Sequence, residues 1–130
     1  MIRMGVIGCG LIGQKRHKAF PSECHLVACA DIDLKRAQTI ADDKTKIFQD
    51  WRELLAVPEI DAVIIATHHD SLAEIGLAAI NAGKHVLVEK PAARNPDELE
   101  PLMTAASNCD LKVHVGFNHR YHRSIKKAKE

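Results

Sequence analysis

Three glycines near the amino terminus have the spacing of a phosphate-binding turn. Gly8, Gly10 and Gly13 form the pattern G-x-G-x-x-G between a strand-like segment, Ile2–Ile7, and a helix-like segment, Leu11–Phe20. Gly8 permits a tight turn, Gly10 lets the backbone approach a pyrophosphate, and Gly13 lets the helix pack close to the strand. The free N–H groups of the helix would bind the anion. A glycine-rich turn without a ligand is the alternative. The predicted binding loop comprises Gly8, Cys9, Gly10, Leu11, Ile12 and Gly13.

An acid follows the second strand-like segment. The carboxylate of Asp31 would accept hydrogen bonds from ribose hydroxyls and repel a 2′-phosphate, so its position favours NAD over NADP. Lys35 and Arg36 lie nearby and would weaken that repulsion. The alternative is that Asp31 only ends the strand.

A second group of chemically capable residues is Glu89-Lys90-Pro91, which ends an apolar segment. A lysine can exchange a proton with a substrate hydroxyl if burial or a neighbouring charge lowers its pKa toward neutrality. From the residues alone, Lys90 is equally well explained as a surface lysine paired with Glu89.

Polar residues also follow the fourth apolar segment, as Thr67, His68, His69 and Asp70. Ligands of open α/β sheets bind at the carboxyl ends of the strands, so we expect these residues to border the cofactor. Adjacent histidines suggest a metal ion, but no third ligand lies nearby. Polar lining of the cleft, or capping of the next helix by Asp70, is favoured, and no metal is predicted.

The carboxyl-terminal segment is rich in histidine and basic residues. His114 belongs to a different predicted element from His119 and His122, which argues against a three-ligand metal site. The lysines of residues 126–129 are typical of the solvated face of a helix, so no nucleic-acid partner is expected. Trp51 is interpreted as a packing residue.

Six strand-like segments must position these groups, and each alternates with a helix-like segment. This order predicts an α/β fold, a doubly wound parallel sheet of six strands in the order 3-2-1-4-5-6. The predicted strands are Ile2–Ile7, His25–Ala30, Thr45–Phe48, Ala62–Ala66, His85–Val88 and Lys112–Phe117.

The helix starts carry recognisable capping residues. Asp33 and Asn95 are predicted N-caps, and Asp50 and Ser71 each begin a sequence typical of a capping box. Pro101 predicts a kink or a late start in the helix after Asn95. A last helix is expected at residues 121–129.

The composition of the chain argues against several classes of protein. The 130 residues suit one globular domain, because 46% are hydrophobic. Eighteen basic and 17 acidic residues nearly cancel, which gives no global attraction to nucleic acid or membrane. No apolar run is long enough to span a bilayer, and the start leaves no room for a signal peptide. The four scattered cysteines are expected to be reduced, so a cytoplasmic location is expected.

Three segments, GVIGCGLIG, AGKHVLVEKP and GFNHRYHRSI, occur in this order, and the chain resembles the Gfo/Idh/MocA oxidoreductase family. The resemblance implies an amino-terminal Rossmann domain at residues 1–120 and, at residues 121–130, the start of a connection to an absent substrate domain. It implies NAD(P)-dependent hydride transfer from a sugar, sugar nucleotide or cyclitol, and a homo-oligomer when the protein is full length.

The same resemblance assigns roles to individual residues. Lys90 matches the active-site lysine, in a Lys-Pro pair that often has a cis peptide bond, Glu89 would lie near the nicotinamide, and Asn118 would lie at the domain junction. One departure concerns the loop after the fourth strand. His68 stands where the family usually has proline, and Leu72 where it has a histidine, which puts inherited roles for this loop in question.

Two classes of function follow. The first is the cofactor-binding half of an oxidoreductase, including a variant in which transient oxidation drives the elimination of a group from a sugar. The second is a non-catalytic dinucleotide-binding module or redox sensor.

Overall fold

A computed structural model of the chain describes residues 1–117 and 122–130. Six parallel strands form one sheet in the order β3-β2-β1-β4-β5-β6, which confirms the predicted topology. The strands are β1 Ile2–Ile7, β2 Cys24–Ala30, β3 Lys46–Phe48, β4 Ala62–Ile65, β5 His85–Glu89 and β6 Val113–Gly116. The helices are α1 Leu11–Lys18, α2 Leu34–Ile40, α3 Trp51–Leu55, α4 Leu72–Asn81, α5 Pro96–Ser107 and α6 Arg123–Ala128.

The sheet is apolar on both faces at its centre, because helices cover both sides. In β4, Val63 and Ile65 point into the larger core, which α3, α4 and α5 complete. Ala62 and Ile64 point the other way, into a smaller core that α2 completes. This two-sided burial explains why β4 is a continuous apolar run.

Three of the predicted helix caps are confirmed. The side chains of Asp33, Asp50 and Asn95 accept hydrogen bonds from backbone N–H groups in the first turns of α2, α3 and α5. The Asp50 contact is made by the N–H of Arg52 at 2.9 Å. These caps satisfy donors that a helix start leaves without partners.

The capping box predicted at Ser71 is wrong. Ser71 is the N-cap of α4, but its side chain makes no capping hydrogen bond. The hydroxyl oxygen lies 2.8 Å from Oγ1 of Thr67 and 3.0 Å from the carbonyl oxygen of His68. The hydroxyl has turned back into the preceding loop, where these two acceptors compete with the helix. The alternative that Asp70 caps α4 is also wrong, since Ser71 takes the N-cap position.

The late start proposed for α5 is wrong as well. The helix begins at Pro96 and continues through Pro101. The Asn95 cap and Pro96 at the first position set the first turn. Pro101 is exposed, so solvent can reach the carbonyl that proline leaves without a donor. The last helix, α6, lies within the predicted span, while Tyr121 falls outside the described residues.

Candidate functional site

The turn after β1 passes directly against the end of β4. Gly8 has a φ of +90°, and a Cβ there would lie 2.5 Å from the carbonyl oxygen of Ala66. Only glycine combines this left-handed backbone with so close an approach. The chain therefore turns tightly at Gly8, between the end of β1 and the start of α1.

The other two glycines of the turn have opposite surroundings. A Cβ on Gly13 would lie 1.9 Å from the carbonyl oxygen of Gly8, so α1 packs tightly against the turn. A Cβ on Gly10 would meet nothing within 4 Å, so this backbone faces open space. Gly10 is the N-cap residue of α1 and provides no side-chain cap, and the first turn of the helix contains no acidic residue. This arrangement fits an anion, which would take the place of the missing cap.

Asp31 is held in place beside this turn. Its Oδ2 accepts a hydrogen bond from the backbone N–H of Cys9 at 2.8 Å, and its Oδ1 accepts one from the N–H of Asp33 at 2.8 Å. Each carboxylate oxygen has a further lone pair available for a ribose hydroxyl. The two backbone bonds fix the carboxylate at the end of β2 before any ligand arrives.

A cleft of about 330 Å³ lies at this edge of the sheet. It brings together residues from the turn after β1, the end of β2 and the loop after β4. The predicted residues that line it are Gly8, Gly10, Leu11, Ile12, Asp31, Thr67 and His68. The carboxyl ends of these strands thus form one continuous surface, as expected for a doubly wound sheet.

Sequence reasoning did not assign several residues that line the same cleft. Gln49 and Trp51 come from the segment after β3, and the Gln49 amide donates a hydrogen bond to the carbonyl oxygen of Ile32 at 2.9 Å. Trp51 also packs against the larger core, so its interpretation as a packing residue is incomplete. Ser71 also lines the cleft, as does Arg36, which the sequence had placed near Asp31. The position of Gln49 and Trp51 after β3 was the available signal, since that strand ends at the same edge.

The Cys9 side chain points away from the cleft. Its thiol is buried in the smaller core and lies 3.5 Å from the carbonyl oxygen of Ala30. A hydrogen bond with Cys29, together with burial, raises the pKa of the Cys9 thiol. Cys9 therefore remains a neutral thiol and contributes its backbone N–H to the site.

The Glu89-Lys90 segment lies at the end of β5, outside the lining of the cleft. The Glu89 carboxylate forms an ion pair with the guanidinium of Arg16 in α1. The alternative in which Glu89 pairs with Lys90 is therefore not what the structure shows. Lys90 is exposed, and the Lys90–Pro91 peptide bond is cis.

Of the predicted residues in the loop after β4, His68 and His69 differ in their position relative to the cleft. His69 is exposed and lies outside the cleft lining, next to His68, which does line it. Within residues 1–117 and 122–130, no three side chains of His, Cys, Asp or Glu are grouped as metal ligands would be. Asn118 lies outside the described residues.

The sequence of this domain matches a family model over residues 2–117, described as an oxidoreductase family with an NAD-binding Rossmann fold. The chain belongs to the Gfo/Idh/MocA oxidoreductase family. The glycine turn, the cleft and Asp31 therefore lie in the NAD-binding domain of this family.

Several inositol dehydrogenases are similar to this Gfo/Idh/MocA domain. It is 30% identical to myo-inositol 2-dehydrogenase of Thermotoga maritima, over 99% of this chain and 40% of the relative. It is 34% identical to inositol 2-dehydrogenase 3 of Saccharopolyspora erythraea, with the same coverage. The crystal structure of myo-inositol dehydrogenase from Lactobacillus casei, in complex with NAD(H) and myo-inositol, superposes with a TM-score of 0.91 at 27% identity, over 99% of this chain and 40% of that one.

The chain thus spans about 40% of the length of the curated relatives it matches. The matched part corresponds to the Rossmann fold of the Gfo/Idh/MocA family. In the part of the chain that the structure describes, no helix has both the length and the apolar character needed to cross a bilayer.

Proposed function

We propose that this chain is the cofactor-binding half of an NAD-dependent dehydrogenase that oxidises a cyclitol hydroxyl by hydride transfer. One observation carries the proposal: the Asp31 carboxylate and the uncapped start of α1 border the same cleft. The first suits the ribose of a dinucleotide and the second suits its pyrophosphate. The similarity to inositol dehydrogenases supports a cyclitol as the substrate class.

The residues present fit NAD better than NADP. The open space over Gly10 suits a pyrophosphate, and the Asp31 carboxylate suits an unmodified ribose. Bound NAD would supply the hydride acceptor. Arg36 also lines the cleft, and its positive charge would partly offset the repulsion between Asp31 and a 2′-phosphate.

Lys90 is proposed to exchange the proton of the substrate hydroxyl. Oxidation of a secondary alcohol requires a group that accepts this proton, and the reverse reaction requires a donor. Lys90 lies at the carboxyl end of β5, at the edge of the sheet that also carries the glycine turn. In the same proposal, Thr67, His68 and His69 border the cofactor and Glu89 lies near the nicotinamide. The family resemblance adds Asn118 as a further cofactor-binding residue.

Two measurements test the proposal in sequence. Calorimetric titration of the 130-residue chain with NAD, NADH and NADP should give the tightest binding to the NAD pair, and no binding at all would refute the cofactor assignment. The intact protein should then be assayed with NAD and either myo-inositol or scyllo-inositol. Lys90→Ala should retain NAD binding and lose turnover, while Lys15→Ala, an equal change at an exposed residue of α1, should retain both.

A dinucleotide-binding module or redox sensor without catalysis is the second candidate. The observation that favours it is the position of Lys90, whose exposed side chain lies outside the lining of the cleft. The two candidates differ in one result. A module binds NAD without oxidising a cyclitol, and its Lys90→Ala variant behaves like the wild type.

Three further features belong to the proposal. The division between a domain at residues 1–120 and a connection at residues 121–130 is inferred from the family resemblance. The same resemblance supports a homo-oligomer for the full-length protein. The four free cysteines are compatible with the proposed cytoplasmic location.

A further inference from the structure

Three elements converge on the carboxylate of Glu89. Glu89 is the last residue of β5, and its neighbour in the sheet is Gly116 at the end of β6. The guanidinium of Arg16 reaches it from α1 and forms an ion pair through Nε. The chain separates Arg16 from Glu89 by 73 positions, so this contact exists only in the folded domain.

The ion pair is largely shielded from solvent. The side chains of Arg16 and Glu89 retain only 22% and 12% of their exposure. Ion pairs on the surface contribute little to the stability of a fold. An ion pair that is shielded from solvent and hydrogen-bonded holds both side chains in a more definite position. Arg16 has the planar fork of donors that this role requires.

Gly116 provides the space in which the pair lies. A Cβ at this position would lie 2.7 Å from Oε2 of Glu89 and 2.8 Å from Nη2 of Arg16. Both atoms are the ends of flexible side chains, so a methyl group here would displace the ion pair and would not collide with the backbone of β5. The position thus offers a way to disturb the contact without removing a charge.

The pair connects the two parts of the proposed active site. Helix α1 begins at the glycine turn and is wedged against it at Gly13. Glu89 directly precedes Lys90 in the chain. The ion pair is therefore a direct link between the helix that would bind the pyrophosphate and the segment that carries the proposed proton-exchanging group.

We propose that Arg16 and Glu89 are positioning residues that hold Lys90 at a fixed distance from the glycine turn. The inference rests on the proposed dehydrogenase function for its effect on turnover. Small displacements of a reacting group can cost on the order of 100-fold in rate. Arg16 does not line the cleft, so loss of the ion pair should affect turnover more than NAD binding.

The first test uses the intact protein with NAD and myo-inositol. Arg16→Met should lower kcat on the order of 10- to 100-fold, with a much smaller change in the KM for NAD. Arg16→Lys should recover part of kcat, because it retains a positive charge that reaches toward Glu89. Lys15→Met makes the same change of charge on the exposed side of α1 and should retain the wild-type kcat.

Two variants separate positioning from folding. Arg16→Met leaves a shielded carboxylate without its partner, which could destabilise the domain. The double variant Arg16→Met with Glu89→Met removes that charge, and Gly116→Ala retains both charges but displaces them. Both should remain folded by circular dichroism and both should have the low kcat of Arg16→Met. Wild-type kcat in folded Arg16→Met, or in folded Gly116→Ala, would overturn the inference.

A spectroscopic measurement keeps this test independent of the proposed function. In the 130-residue chain, Arg16→Met and Gly116→Ala should shift the amide NMR signals of residues 89–93, whereas Lys15→Met should not. A wild-type protein that binds no NAD or oxidises no cyclitol would count against the proposed function alone. Unchanged signals of residues 89–93 in both variants would refute the positioning role itself.

Discussion

The carboxylate of Asp31 accepts a hydrogen bond from the backbone N–H of Cys9 at 2.8 Å. This contact joins the end of β2 to the glycine turn after β1, so the acid and the turn form one rigid unit. The ribose-binding and phosphate-binding groups are therefore arranged before the cofactor binds, which reduces the ordering cost of binding.

Asp31 should determine the choice between NAD and NADP. Asp31→Asn retains the shape of the side chain and one acceptor oxygen, which can serve the Cys9 N–H but not also the Asp33 N–H. It removes the charge that repels a 2′-phosphate. We expect the ratio of the Kd for NADP to the Kd for NAD to fall by about tenfold or more. A hydrogen bond to a charged group contributes about 1.5–3 kcal/mol, and a change of that size corresponds to at least about tenfold in Kd. Calorimetry measures both constants. Asp43→Asn, at an exposed residue, is the matched control, and an unchanged ratio in Asp31→Asn would contradict the assignment.

Gly10 and Gly13 should respond differently to alanine. At Gly10 the added methyl group meets no protein atom within 4 Å, so Gly10→Ala should retain wild-type stability and lose about 10- to 100-fold in NAD affinity. At Gly13 it meets a backbone oxygen at 1.9 Å, so Gly13→Ala should lower the free energy of unfolding by about 1–3 kcal/mol. Urea unfolding and NAD titration of the two variants measure both effects. Equal NAD affinity in Gly10→Ala and wild type would show that no phosphate approaches this backbone.

Lys84 should stabilise the fold without taking part in binding. Its buried ammonium donates hydrogen bonds to the carbonyl oxygens of Val57 at 2.8 Å and Ile60 at 2.9 Å. Burial lowers the pKa of this ammonium. Lys84→Met leaves both carbonyls without this donor and should lower the free energy of unfolding by about 1–3 kcal/mol in a urea titration. Lys15→Met should change it little, and equal stability of Lys84→Met and wild type would remove the structural role.

The pair of Arg3 and Asp61 should make stability depend on pH in the acid range. Hydrogen bonds from the guanidinium and the backbone N–H of Arg3 hold the pKa of the Asp61 carboxyl below its usual 3.8. The unfolded chain then binds more protons than the folded one, so this contribution is complete above pH 3.8 and is lost as the pH falls further toward the folded pKa.

The matching experiment is urea unfolding of wild type and Asp61→Asn at several pH values between about 2 and 6, the range in which carboxyl groups titrate. The wild type should lose its advantage over Asp61→Asn as the solution becomes more acidic. Other acids whose pKa is lowered, including Asp42 and Glu98, contribute equally to both proteins and cancel in the difference. A difference between the two proteins that stays constant with pH would show that the Asp61 pair is not the cause.

Much of the architecture could be read from local patterns. Alternating apolar segments and helix caps predicted where the strands and helices lie, because burial on both faces and capping chemistry act over a few neighbouring residues. The strand order followed from the doubly wound fold of which this alternation is typical. The glycine spacing and Asp31 identified the cofactor edge for the same reason. The absence of a side-chain cap at Ser71 was not predictable, because its hydroxyl is engaged by Thr67 and by the carbonyl of His68, which only the folded loop brings within reach.

The sequence by itself determined which residues form the strands, the glycine turn and the acid at the end of β2. Only the tertiary structure decided which distant side chains meet: Arg16 with Glu89, Lys84 with the carbonyls of Val57 and Ile60, and Trp51 with the cleft. Periodicity and capping depend on residues within one or two turns of the chain. Pairing across the domain depends on how the twisted sheet orients each helix, and no local pattern specifies that orientation.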